Sequence, residues 1–439
     1  MRHDEVEARP MHATKADFGS LLKKGLGRAA ILLQEEPDDA DLNAQLLRAC
    51  TEDLVYDRQC EESRVPYLFE LIRMTGQAGT YRAALEVRLK AAKPADAIGN
   101  IAQVFGILCR LAADDGADQS LLRDFVLTTE DRRLAMAGAW ELVRLQGLDA
   151  LLACVDRFRP EIAAEPWLVA SMAHELEERD GATAATGALE QARRADAEFD
   201  RLMGLAEAET KSVSEPTTVP AYAVLKAEVE QGTCKFFPRT WAMGASQTEI
   251  ERVAEDLLAE ADETRAMAYL TAFRSRAFPG DPTRLFPLLS GANGRVARRA
   301  ADALALISHP AIRSFGLQLI AEGQPDLGTR LLRSSYDEGD LVLVRTQLDR
   351  LAPEADAYHS VGLSALSLIK NMAEPQDEAR AILLHLYENE PCSLCRGTAM
   401  DLLAAMNGIP NWISKEGRYD AEPSIAERFA TRVLNGRGS

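Results

Sequence analysis

Residues 281–323 read DPTRLFPLLSGANGRVARRAADALALISHPAIRSFGLQLIAEG. Apolar side chains fall at Leu285, Leu288 and Leu289, then at Val296, Ala300, Ala303, Leu304 and Ile307. Steps of three and four lay each set along one face of a helix. Gly291, Asn293 and Gly294 interrupt the chain between the two sets. His309-Pro310 is expected to close the second helix, because proline disfavours helical geometry in the residue before it. The segment therefore reads as helix, short loop, helix, short loop, helix. Its alanines at contact positions let neighbouring helices approach closely. One such hairpin cannot bury its stripe alone, so it calls for neighbours on both sides, as helical repeats do.

The run GRVARRAADALALISHPAIRSFGLQLI, 294–320, resembles a HEAT repeat, with an arginine-rich helix start followed by Ala-Ala and Ala-Leu pairs. The resemblance is to bacterial HEAT-like (armadillo-type) helical-repeat proteins and is clearest over residues 283–332. It implies an all-α chain, a HEAT/armadillo-like α-solenoid of stacked antiparallel helix hairpins. Such folds carry scaffolds, nucleic-acid binders and a few enzymes, so the resemblance does not select a function.

Composition agrees with a helical protein. The chain has 439 residues, 47% hydrophobic and 27% charged, with only 6% aromatic. That length holds a large core, whether as two or three domains or as one continuous solenoid. The net charge of −18 sets bulk electrostatics against nucleic acid and anionic membranes. Seven cysteines at irregular spacings argue against a disulfide framework. The N-terminal residues carry no signal-type apolar stretch, and no apolar run approaches the roughly 18 residues of a membrane span. The expected location is the bacterial cytoplasm, with no membrane partner.

Taken in order, residues 1–14 are polar and aperiodic and read as a disordered arm. Residues 15–210 read as an N-terminal helical-repeat segment. It opens with a helix from Lys15 to Glu36 and ends in a long polar helix from about Ala182 to Thr210. Residues 211–246 read as a linker (KSVSEPTTVP, 211–220) followed by an irregular aromatic stretch with Phe236, Phe237 and Trp241. Residues 247–439 read as a C-terminal HEAT-like segment. The connections are two to six residues long, which fits antiparallel neighbours.

Few residues suggest chemistry. There is no GxGxxG, P-loop, HExxH or GxSxG motif. Cys392-x-x-Cys395 follows Pro391 at a helix start, where the helix dipole could lower a thiol pKa. A zinc site needs four ligands, and only His385 lies nearby in sequence, so burial as small hydrophobes is the plainer reading for Cys392 and Cys395. His174-Glu175 resembles the metal-holding His-Glu pairs of HEAT-like deoxyhypusine hydroxylases, but that family needs several pairs and this chain has one. No cofactor is expected.

One charge feature runs against the whole. Residues 264–333 hold ten arginines against four acids. Arg295, Arg298 and Arg299 fall within one helical turn, with Arg313 further along and Trp241 as a neighbouring aromatic candidate. Such a ridge could bind phosphates, as the basic concave face of HEAT-like DNA glycosylases does. It could equally be consumed by ion pairs with acids on adjacent helices. The expected function is a non-enzymatic protein–protein interaction scaffold with a protein partner. The alternative is a nucleic-acid-binding protein using the 264–333 stretch.

Overall fold

The computed structural model describes residues 14–214, 220–291, 293–372, 374 and 376–435. Among these residues there are 28 α-helices joined by short turns, and no strand. The all-α expectation therefore holds. No helix among the described residues is long and apolar enough to cross a membrane. Residues 1–13 of the expected arm and the centre of the 211–220 linker lie outside the described residues.

The chain forms two compact units. One comprises 220–410; the other comprises 14–214 together with 411–435. The composition-based division runs the second segment on to 439, whereas the contacts group the stretch after Pro410 with the N-terminal unit. The physical reason is a buried ion pair: Arg28 donates from Nε to Glu416 Oε2 at 2.8 Å and from Nη2 to Oε1 at 3.1 Å. The Ala421 amide donates to the Gly25 carbonyl at 2.8 Å, and Gln34 Nε2 donates to Tyr419 Oη at 2.9 Å.

Those contacts also explain why the expected single helix from Lys15 to Glu36 is broken. It is a 3-10 turn Lys15–Asp17 and two helices, Phe18–Lys24 and Arg28–Glu35. Gly25 between them has φ of 72°, a left-handed conformation that ends the first helix. Gly27 lies so close to the C-terminal stretch that a Cβ there would sit 1.9 Å from the Glu416 carbonyl oxygen. The expected long helix from Ala182 is likewise two, Ala182–Ala195 and Ala197–Ser214. Asp196 separates them in extended geometry, and its carboxylate accepts from the Glu198 and Phe199 amides as an N-cap.

Within each unit, helices touch neighbours in sequence and also helices two or three places along. In the 220–410 unit the series is Glu263–Leu270, Gly294–Leu304, Pro325–Leu331, Asp356–Lys370 and Ser393–Ala405, each packed on the next. In the other unit it is Val65–Thr75, Ile98–Asp115, Ala139–Gln146, Trp167–Asp180 and Ala197–Ser214. The opening stretch fits this plan with two adjustments. Pro282 and Pro287 reduce its first helix to a 3-10 turn, Pro282–Leu285, and one α turn, Phe286–Leu289. His309-Pro310 starts a helix rather than ending one. His309 caps Pro310–Ala321 by accepting from the Ala311 amide at 3.2 Å, and Pro310 sits in the first turn, where its missing N–H costs nothing.

The aromatic stretch 232–246 is a packed plug. Phe237 and Trp241 are buried, with ring centroids 5.0 Å apart, and both pack on Tyr222. The Phe237 amide donates to Thr271 Oγ1 at 2.7 Å. Burial pushes the Tyr222 phenol above its ordinary pKa, and its hydrogen bond to the Asp256 carboxylate adds to the rise.

Candidate functional site

The helix Gly294–Leu304 divides sharply into two faces. Val296, Ala297, Ala300, Ala301, Ala303 and Leu304 are buried. Arg295, Arg298, Arg299 and Asp302 follow steps of three, one and three, which places them along the opposite stripe. Asn293 anchors the helix start, its side-chain oxygen accepting from the Arg295 amide at 3.0 Å. Asn293→Ala is expected to cost about 1 kcal/mol of stability, as lost N-caps do, measured as a lower urea midpoint.

Two neighbouring segments add to that stripe. The 3-10 turn Thr271–Arg274 and the helix Pro325–Leu331 both pack on Gly294–Leu304. With the 3-10 turn Leu332–Ser334 that follows, they bring Arg274, Arg295, Arg298, Arg299, Arg330 and Arg333 around one groove of about 620 Å³, with Asp302 the single acid in its lining. Arg299 lies 3.5 Å from Asp302, and Arg330 also pairs with that carboxylate. Arg274, Arg295, Arg298 and Arg333 make no ion pair among the described residues, and the first three are exposed. Six guanidinium groups against one carboxylate make this a strongly positive patch on an acidic protein.

Both readings of the arginine-rich stretch therefore find residues. Arg265 is consumed by Glu260, with two bonds of 2.9 Å, and holds that carboxyl down at about 2. Arg276 donates to the Ala245 carbonyl at 3.2 Å. Arg313 stands outside the groove and grips the buried Asp340 through two bonds of 2.7 Å, so it is engaged internally. Trp241, at 2% exposure, belongs to the core and presents no stacking face. Phe273 and Phe278 are buried against each other, and Phe286 and Phe315 stack with centroids 4.4 Å apart. The sequence singles out Arg295, Arg298 and Arg299, with Arg313 and Trp241, of which only the first three line the groove. Arg274, Arg330 and Arg333 enter the sequence reading only as members of the ten-arginine stretch, because their convergence depends on which helices pack together.

A larger cleft of about 910 Å³ opens in the other unit, but its charges are mixed. Arg144 there bonds both Glu141 and Glu175, at 2.9 and 2.5 Å. Glu175 thus points to Arg144 while the exposed His174 faces Glu177, so the His-Glu dipeptide does not act as a pair.

Cys392 and Cys395 are both buried, at 3% and 6% exposure. Cys392 caps the helix Ser393–Ala405 and Cys395 lies in its first turn. His385 faces Asp349 at 3.4 Å. The side chains gathered around Cys395 are instead His359 and Glu390, distant in sequence and invisible to a spacing argument. The remaining buried thiols are inert by environment; burial pushes Cys154 up to about 12 and Cys50 higher still.

Comparison of the chain with family models, with curated proteins and with solved structures finds no match in any of the three.

Proposed function

We propose that this protein is a non-enzymatic interaction scaffold, a HEAT/armadillo-like α-solenoid that holds an acidic segment of a protein partner in the arginine groove between Arg274 and Arg333. The observation that carries the reading is the convergence of six arginines from four separate helical segments with one acid among them. The planar guanidinium fork matches a carboxylate with two parallel hydrogen bonds, so a row of unpaired arginines suits a run of Asp and Glu. Packing of helices on those two or three places along supports the repeat architecture, in which one surface is built from equivalent positions.

Phosphate offers the same oxygen geometry, so nucleic acid is the second reading. Two features weigh against it. The charge of −18 repels a long polyanion outside the groove, and the nearby aromatic rings are spent in the core or on each other.

The test is fluorescence anisotropy of the full chain with a labelled Asp/Glu-rich peptide, single-stranded DNA, duplex DNA and RNA, over a salt series. The peptide is expected to bind, and Arg298→Glu/Arg299→Glu to weaken it about tenfold or more at low salt, consistent with loss and reversal of two charge contacts. Binding of nucleic acid in preference, with a log–log salt slope of about −3 to −4 for four phosphate contacts, would move the assignment to the second reading. No binding of any probe at low salt would remove the groove as a recognition site.

A further inference from the structure

We propose that His359, Glu390 and Cys395 form a divalent-metal site with a preference for a thiophilic ion such as Zn²⁺. The three side chains come from separate places in the chain: the helix Asp356–Lys370, the C-cap of Asp377–Asn389, and the first turn of Ser393–Ala405. One ring nitrogen, one carboxylate oxygen and the sulfur lie within 4.8 Å of one another. Imidazole, carboxylate and thiolate are the three protein donors that zinc takes.

The second observation is the state of Glu390. Its side chain is wholly buried. Oε1 lies 2.5 Å from His359 Nδ1 and accepts from the Cys392 amide at 3.4 Å, while Oε2 has no hydrogen-bond partner. The fold keeps room for this carboxylate. A Cβ at Gly362, on the facing helix, would stand 2.6 Å from Oε2. Burying a carboxylate with one oxygen unmet is costly, and such groups in native proteins have a cause. A histidine–carboxylate hydrogen bond alone accounts for Oε1 and leaves Oε2 unexplained. A cation held by the carboxylate offsets the buried charge that these hydrogen bonds leave uncompensated.

The geometry needs little adjustment. Tetrahedral zinc with Zn–N and Zn–O distances near 2.0–2.1 Å separates its N and O donors by about 3.3 Å. His359 and Glu390 would spread by less than about 1 Å as the ion replaces the proton they share, and the sulfur would close by a similar amount. Binding moves the shared proton to His359 Nε2 by a change of tautomer and releases the Cys395 thiol proton to solvent, so thiolate and carboxylate together balance a 2+ ion. Three protein donors leave a fourth position for water. Cys392 falls outside the group, so the CxxC spacing is not what makes the site.

The test uses the full chain, stripped with chelator and then given Zn²⁺ alone or Co²⁺ alone. The wild type is expected to retain one Zn²⁺ per chain after desalting and to show a higher unfolding temperature with the ion than without it. Co²⁺ is expected to give a thiolate-to-metal charge-transfer band. Outer-shell losses already cost about 10–100-fold in affinity, so Cys395→Ser and His359→Gln are each expected to weaken binding by at least about 100-fold. Cys395→Ser should also abolish the charge-transfer band, and Cys392→Ser should leave affinity and band unchanged. His359 lies at the accessible edge of the group, at 19% exposure, so His359→Gln is the variant to rely on should Cys395→Ser fail to fold. Failure of the wild type to hold a stoichiometric ion overturns the proposal. So does wild-type affinity in folded His359→Gln, or loss of the band in Cys392→Ser.

Discussion

Arg28→Met is expected to lower the stability of the 14–214 and 411–435 unit by about 3–5 kcal/mol, the cost of leaving one partner of a buried ion pair uncompensated. Glu416 has 0% side-chain exposure and Arg28 11%, and their two hydrogen bonds are in bidentate register. Met preserves much of the length and apolar stem of Arg28 but removes both hydrogen bonds from the buried Glu416 carboxyl. The Arg28 guanidinium also lies 5.2 Å from the centre of the Trp412 ring, so a cation–π contact goes with the pair. Urea unfolding followed by circular dichroism measures the loss as a lower midpoint for this unit. The informative control is Arg28→Met/Glu416→Leu. Removing both side chains takes away the buried carboxylate along with its lost guanidinium partner, so the double variant is expected to recover most of what the single one loses. A double variant as unstable as Arg28→Met would mean that shape at Gly27 and Glu416, not charge, joins the C-terminal stretch to the first helices.

The second large effect concerns the aromatic plug. Trp241→Ala is expected to cost about 3–5 kcal/mol, the usual range for truncating a buried large aromatic. Phe236→Ala, five residues earlier, is expected to stay within about 0.5 kcal/mol, because Phe236 is 65% exposed. Trp241 contacts Tyr222 and Phe237, and Phe237 in turn contacts Tyr269, so its loss opens a cavity beside a cluster of three rings. Circular dichroism in urea is the measurement, since the substitution itself alters tryptophan fluorescence. A Trp241→Ala protein as stable as wild type would return Trp241 to the surface and reopen a stacking role beside the arginine groove.

The arginine groove and the Cys395 cluster differ in what could be read ahead of the fold. Arg295, Arg298 and Arg299 lie on one helix opposite an alanine face, so periodicity alone aligned them. Their meaning depended on Arg274, Arg330 and Arg333, and equally on the removal of Arg265, Arg276 and Arg313 by partners on other elements. Sequence proximity cannot distinguish an arginine that faces a groove from one that grips a buried aspartate 27 residues away. At Cys395 the nearby residues in sequence, Cys392 and His385, are not the ones that meet it. His359 is brought there by packing of Asp356–Lys370 on Ser393–Ala405.

The chain's own residues determined the helical class. Apolar steps of three and four, abundant alanine and short connections leave one low-energy backbone state for most segments, and that information is local. They also determined the sign of the charge anomaly at 264–333. Tertiary structure alone decided where helices break, where the units divide and which side chains meet. Lys15–Glu36 shows why. Its hydrophobic period is continuous, yet Gly25 turns left-handed and Gly27 yields to the Glu416 carbonyl, because a buried Arg28–Glu416 pair joins positions 388 residues apart. Long-range burial and hydrogen bonding outweigh the few tenths of a kcal/mol that separate one local conformation from another, and no window of neighbouring residues contains them.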